Sequence, residues 1–335
     1  MKLLSNWCPA ASSTFALCAL LFVLCGSVHA QQPGKVFRIG YLDPSTVSGS
    51  AALLETFRQE LSKLGWVEGK NLVFEYRFAE LKPERVAELA AELVRLKVDL
   101  IVTSGVPPAL AAKKATSTIP IVASVTDPVA LGLVASLARP GGNVTGLSTL
   151  ATELNTKRLE ILKDAVPKLD RVGLLKRSSG NPGEEQQLEE LRVAASALKV
   201  KLEEIKTQLD AQGLESAFKT AKQKQVGAIM TTSLRVFFAE RKPIVALAGK
   251  YRLPAIYFQK EFVDEGGLMS YGADYDDLFR RAAGYVDKIF KGAKPADLPV
   301  QQATKFEFVI NLKAAKQIGL TIPPDVLARA NKVIK

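Results

Sequence analysis

Histidine and cysteine are nearly missing from this 335-residue chain, which has one histidine, His29, and three cysteines, Cys8, Cys18 and Cys25. All four fall in an N-terminal stretch that reads as a cleavable export signal. Lys2 supplies positive charge, Phe15 to Val28 form an apolar run, and Val28-His29-Ala30 offers small residues at the cleavage positions. A cut after Ala30 starts the exported chain at Gln31 and leaves neither residue type in it. Ser-His-Asp and Cys-His catalysis, zinc held by His or Cys, and every disulfide framework are then excluded. With those groups gone, binding is expected rather than catalysis. No catalytic residue, metal ligand or cofactor is assigned.

Long hydrophobic runs are scarce as well. The run in the signal is shorter than the roughly 20 residues that span a bilayer, which favours cleavage over an uncleaved anchor. Leu17 before Cys18 and Leu24 before Cys25 stand where a lipoprotein signal needs a small residue. No later stretch is long and apolar enough to cross a membrane. The mature form, residues 31–335, is expected to be periplasmic, outside the membrane and monomeric.

The formal charge is +11. Lysines and arginines are spread along helix-period segments with no aromatic-interleaved basic cluster, so nucleic acid is not an expected partner. Walker and dinucleotide fingerprints are missing: Gly65-x-x-x-Gly69 ends a helix, and Gly141-Gly142 follows a helix instead of opening one. No run of carboxylates has the spacing of a calcium loop. Glu184-Glu185 and Glu189-Glu190 read as the solvated face of a helix.

What is present is an alternation of β-branched runs and helix-period segments. Strands are predicted at Val36–Leu42, Asn71–Phe78, Asp99–Thr103, Ile121–Val125 and Asn143–Thr149, and helices at Ala51–Leu64, from Pro83, at Pro107–Thr116 and from Pro128 to Ala138. Such regular alternation indicates a parallel sheet covered on both faces. The order then repeats. Arg38-Ile39-Gly40-Tyr41-Leu42 matches Arg171-Val172-Gly173-Leu174-Leu175, Leu72–Tyr76 is answered by Leu202–Lys206, Leu100–Ser104 by Ala228–Ser233, and Ile119–Val122 by Leu253–Ile256. The offset stays near 130 residues throughout.

The fold class expected is therefore α/β, with two doubly wound, Rossmann-like lobes joined by about three hinge crossings. The crossings are placed at Asn143–Thr149, Gly267–Tyr271 and Val300–Thr304. Residues 36–147 with 272–299 are assigned to lobe 1, and 148–271 with 300–335 to lobe 2. The helix Tyr275–Phe290 returns to lobe 1.

In such sheets the carboxyl ends of the strands form the binding edge. In lobe 1 that edge carries Asp43, Ser45 and Thr46, then Ser104 and Gly105, then Thr126 and Asp127. Each stands at a helix start, where unpaired N–H groups receive a carboxylate; each also suits a capping role confined to its own helix. In lobe 2 the edge carries Arg177 and Ser178, then Ser233 and Arg235. Two guanidiniums there would grip a carboxylate, unless they are ordinary surface arginines. Tyr271 is an aromatic wall or a core tyrosine.

Five segments carry a resemblance. They are Gly65-Trp66-Val67-Glu68-Gly69-Lys70-Asn71, Thr126-Asp127-Pro128-Val129, Arg139-Pro140-Gly141-Gly142-Asn143-Val144-Thr145-Gly146, Gly266-Gly267-Leu268-Met269-Ser270-Tyr271-Gly272 and Lys291-Gly292-Ala293-Lys294-Pro295-Ala296-Asp297-Leu298-Pro299. The chain resembles the exported substrate-binding proteins of ABC importers related to the tryptophan- and tyrosine-type members. The resemblance implies the type I periplasmic-binding-protein fold, a small-molecule ligand, and an ABC permease and ATPase as partners. It departs from those relatives where ligand choice is made. Lys176-Arg177 stands where relatives often have an aromatic residue followed by Asn, and Leu234-Arg235-Val236 where they often have Asp with Asn or a hydroxyl. Added positive charge points to a carboxylate-bearing or amino-acid-like ligand, best one without an ammonium group. A periplasmic sensory component is the alternative; an enzyme would have to work with Asp, Glu, Lys or Tyr.

Overall fold

The computed structural model describes residues 35–178 and 182–335. The predicted export signal with His29 and the three cysteines lies outside the described residues, as does Ser179. Thirteen strands alternate with helices through the rest. In the first half they are β1 (Phe37–Asp43), α1 (Val47–Lys63), β2 (Leu72–Phe78), α2 (Val86–Arg95), β3 (Leu100–Ser104), α3 (Val106–Ala115), β4 (Ile121–Val125) and β5 (Val144–Ser148). Then follow α4 (Ala151–Ala165), β6 (Arg171–Arg177), α5 (Pro182–Ala197), β7 (Lys201–Thr207), α6 (Ala211–Gln223), β8 (Ala228–Thr231), α7 (Arg235–Ala239) and α8 (Arg241–Lys250). The last are β9 (Ala255–Tyr257), α9 (Glu261–Asp264), β10 (Met269–Ala273), α10 (Tyr275–Phe290), β11 (Gln301–Gln302), β12 (Phe306–Asn311), α11 (Leu312–Ile318), α12 (Pro324–Ala328) and β13 (Lys332–Ile334).

Two sheets result. The first has the order β11-β5-β4-β3-β1-β2 and is parallel throughout. The second has the order β13-β12-β10-β9-β8-β6-β7, with only β12 antiparallel to β10. Buried on both faces, β3, β4, β5 and β8 are continuous apolar or small runs, as parallel strands require. The recurrent segments occupy equivalent places: β1 and β6 each lie between the second and third strands of their own lobe. Both lobes are thus doubly wound in the order second, first, third, fourth, fifth.

The chain passes between the sheets three times. It leaves the first after β5, through Thr149 and Leu150, and Leu150 there takes a left-handed φ of 53°. It leaves the second after β10 at Asp274, whose carboxylate accepts from Asp277 N and caps α10. It then pairs briefly as β11 and returns through Ala303–Lys305. Helix α10 packs on α1, where Asp276 accepts from Thr56 Oγ1 at 3.2 Å and Asp287 from Trp66 Nε1 at 3.0 Å. Phe290 of the same helix stacks on Phe37 at 4.2 Å. Burial of Leu53, Phe57 and Leu61 along one face of α1 anchors this layer, each side chain contributing about 2 kcal/mol.

Three expectations are corrected. The segment from Pro128 to Ala138 is a series of turns, not a helix. Asp127 Oδ1 accepts from the N–H groups of Val129 and Ala130, and Gly132 takes a left-handed φ of 64°. Helix α1 begins at Val47, four residues before the apolar period, because Thr46 caps it through Gly49 N. Glu184 is fully buried, not on a solvated face: its Oε1 accepts from Arg177 N at 3.1 Å and from Thr232 Oγ1 at 3.2 Å.

Candidate functional site

The carboxyl ends of the two sheets meet around a cavity of about 560 Å³, part of it open to solvent. Its first-lobe wall consists of Pro44 after β1, Ser104 and Gly105 after β3, Ser124 and Thr126 at β4, and Thr149 after β5. Gly105 has φ 96°, a turn that brings the start of α3 into the wall. Arg177 from β6, Gln187 from α5, and Ser233 and Arg235 from the β8–α7 connection form the second-lobe wall. Tyr275, at the start of α10, closes one end.

Arg235 dominates the geometry. Its residue is only 6% exposed, and it reaches across to the first lobe. Nη2 lies 3.2 Å from Asp43 Oδ2 and 3.2 Å from Ser50 Oγ, and the guanidinium sits 5.1 Å from the Phe238 ring centre. Asp43 is fully buried and also accepts from Ser45 N at 2.8 Å and from Tyr41 Oη at 3.3 Å. Burial alone would depress the Arg235 pKa, but the Asp43 carboxylate outweighs it and holds the group above its ordinary value. Nε and Nη1 of Arg235 have no partner in the structure, and neither do Ser124 Oγ and Thr126 Oγ1 on the opposite wall. A buried cation with idle donors beside idle hydroxyls is costly in isolation and well suited to an anion.

Behind the second-lobe wall lies a polar network. Arg158 on α4 is almost fully buried; its Nη1 donates to Tyr271 O at 2.8 Å, and its Nη2 donates to Asn155 Oδ1 and Ser233 Oγ. Gln187 Oε1 accepts from Asn155 Nδ2 and from Ser233 N, both at 2.8 Å. Ser233 is thus held on two sides. Burial lowers the Arg158 pKa to about 10. Burial also depresses Arg177, with Glu184 opposing, and raises the Glu184 carboxyl, with the Arg177 amide and Thr232 opposing. The Tyr275 phenol is raised by burial, against the charges of Arg158 and Arg235 and a hydrogen bond to Thr149.

Of the residues expected at the site, Ser104, Gly105, Thr126, Arg177, Ser233 and Arg235 line the cavity. Asp43 and Ser45 stand behind the wall, and Thr46 caps α1. Asp127 caps its own turn, and Ser178 is exposed, its N–H bonded to Thr207 O. The Tyr271 ring packs edge-on against Phe308, 6.1 Å between centroids, outside the cavity lining. Ser124, Thr149, Gln187 and Tyr275 were missed, as were Arg158 and Asn155 behind them. Tyr275 follows a capping Asp at a helix start, the same signal that located the others. Among the described residues no group of three or more His, Cys, Asp or Glu could hold a metal ion. Among them, too, no helix is long and apolar enough to cross a membrane.

A family profile described as ABC transporter substrate binding protein matches residues 46–334. A tyrosine-binding protein of Clostridioides difficile (strain R20291) is 29% identical over 266 residues, covering 79% of this chain and 75% of its own. Among solved structures, an ABC domain from Streptococcus pneumoniae in complex with L-Trp is 27% identical, with a TM-score of 0.78 over 89% of this chain and 99% of its own. The ligand-free, open form of a substrate-binding protein with adhesive properties from Clostridium difficile is 25% identical. It covers 90% of this chain and 99% of its own, with a TM-score of 0.61.

Proposed function

Because the chain belongs to the ABC transporter substrate-binding protein family, we propose that it captures a small carboxylate-bearing ligand between its lobes and delivers it to an ABC importer. One observation carries the ligand class: Arg235 lines the cavity, buried, with Nε and Nη1 unpartnered. The surroundings point the same way. Arg158, Arg177 and Arg235 bring three buried or half-buried guanidiniums to this wall. Pro44, Val106, Val125, Leu234 and Val236 provide an apolar body for the rest of the ligand. The relatives that bind tyrosine and L-Trp support an amino-acid-like or aromatic acid.

In this reading the protein is not an enzyme; the cavity binds and releases its ligand unchanged. Thr149–Leu150, Asp274 and Ala303–Lys305 act as the hinges, and residues 36–148 with 275–302 move against the remainder. A ligand touching both walls stabilises the closed arrangement in proportion to its preference for it. The export signal, read from sequence, places the mature form in the periplasm.

The test is a thermal-shift screen of the purified protein against carboxylates, amino acids and aromatic acids, with each stabilising compound analysed after incubation. A carboxylate that raises Tm and is recovered intact supports the reading. A stabilising compound that is chemically converted overturns the non-enzymatic part. A hit list of uncharged or cationic compounds overturns the carboxylate part.

A further inference from the structure

Beyond Tyr275 lies a second, smaller compartment of about 210 Å³, part of it open to solvent, formed by the residues after β9, the end of β10 and the start of β12. Gln259, Lys260, Glu261, Glu307 and Tyr275 line it. Gln259 is 98% buried by its 2% exposure, yet both its Nε2 and Oε1 have no partner. A buried primary amide with neither donor nor acceptor engaged is unusual, and here it borders an empty compartment. Lys260 is already occupied, 3.0 Å from Asp276 Oδ2 and 3.5 Å from Glu307 Oε2. What remains is the Gln259 amide, which offers both a donor and an acceptor, with the Glu261 carboxyl as a neighbouring acceptor. Tyr275 borders both compartments, and its phenol senses Arg158 and Arg235 as well as Glu261.

We propose that this compartment is a second polar subsite, in which the Gln259 amide receives a hydrogen-bonding group such as a hydroxyl at the end of the ligand remote from its carboxylate. The proposal rests on the carboxylate reading of the main cavity. The ligand is then bipolar: an acid at Arg235, an apolar middle beside Tyr275, and a hydrogen-bonding group at Gln259. Gln259 offers Nε2 and Oε1, and Glu261 accepts as a neighbour.

Isothermal titration of the purified protein tests it with two pairs of probes: phenylacetate against 4-hydroxyphenylacetate, and 3-phenylpropanoate against 3-(4-hydroxyphenyl)propanoate. In the wild type at least one hydroxylated acid binds roughly tenfold tighter than its parent. Gln259→Met, close in volume, removes that advantage and leaves the parent acid's affinity within about threefold, while Gln259→Asn keeps part of it. No advantage in the wild type, or an advantage undiminished in Gln259→Met, overturns the subsite even if both acids still require Arg235. If none of the four acids binds, the subsite falls, while the carboxylate reading stands or falls by the thermal-shift screen.

Discussion

After β3 in the first lobe stand Ser104 and Gly105; after β8, the equivalent strand of the second lobe, stand Ser233 and Arg235. Sheet order and strand position are the same, and the chemistry is not. The first-lobe wall offers hydroxyls and a glycine turn, whereas the second carries the arginines and the Arg158–Asn155–Gln187 network that holds Ser233. Duplication supplied two similar scaffolds, each ending in a binding edge. Function depends on a few side chains just past the strand ends, where substitution does not disturb the sheet. From the first lobe, Asp43 is spent on Arg235 and Glu84 acts on Arg177.

The sharpest way to break this asymmetry is Arg235→Met. It is expected to lower affinity for a carboxylate ligand by about a hundredfold or more and to destabilise the fold by ~3–5 kcal/mol, since Asp43 is left buried and unpaired. Calorimetry and thermal melts check both effects, and Asp43→Asn in the same background should restore much of the lost stability. Arg177→Met is next, with a loss of roughly tenfold in affinity and a smaller loss of stability than Arg235→Met, because its charge is set against Glu184 and Glu84. In the first lobe, Ser104→Ala and Thr126→Ala are each expected to cost threefold to about tenfold, a single neutral hydrogen bond. Equal losses from both lobes would undo the comparison.

The smallest effect concerns a hinge. Burial tends to raise the Asp277 carboxyl, but Lys305 at 2.6 Å and Arg281 at 3.5 Å outweigh it and hold it below the usual range. A carboxyl with a depressed folded-state pKa contributes stability above its unfolded value, and that contribution is lost as pH falls through the folded value. Lys305 is largely exposed, so the pair is worth about 1 kcal/mol or less. Asp277→Asn should therefore flatten the acid side of a Tm-against-pH curve slightly and leave its neutral plateau lower by a degree or two.

The scaffold was readable because alternation and repetition are backbone signals. Val36–Leu42 and Arg171–Leu175 announce equivalent strands without reference to anything distant, and Tyr275–Phe290 shows its amphipathic period and its Asp274 cap locally. The predicted helix from Pro128 failed for a local reason too: Asp127 captures two N–H groups as a turn, and Gly132 adopts a left-handed conformation. Arg177 and Arg235 were legible as charges past strand ends. Arg158 and Gln187 were not, because a polar residue on a helix reads as solvated until the neighbouring element that buries it is known. Glu184 misled for the same reason. Tyr271 and Tyr275 lie four residues apart, and only the chain's passage at Asp274 decides which one turns toward the cavity.

The central claim is that Arg235 reads a carboxylate. It is tested most directly by titrating one acid and its primary amide into the wild type and into Arg235→Met. The account predicts that the wild type prefers the acid by about a hundredfold or more and that the variant binds acid and amide alike. An Arg235→Met protein that still prefers the acid by the wild-type margin would contradict it.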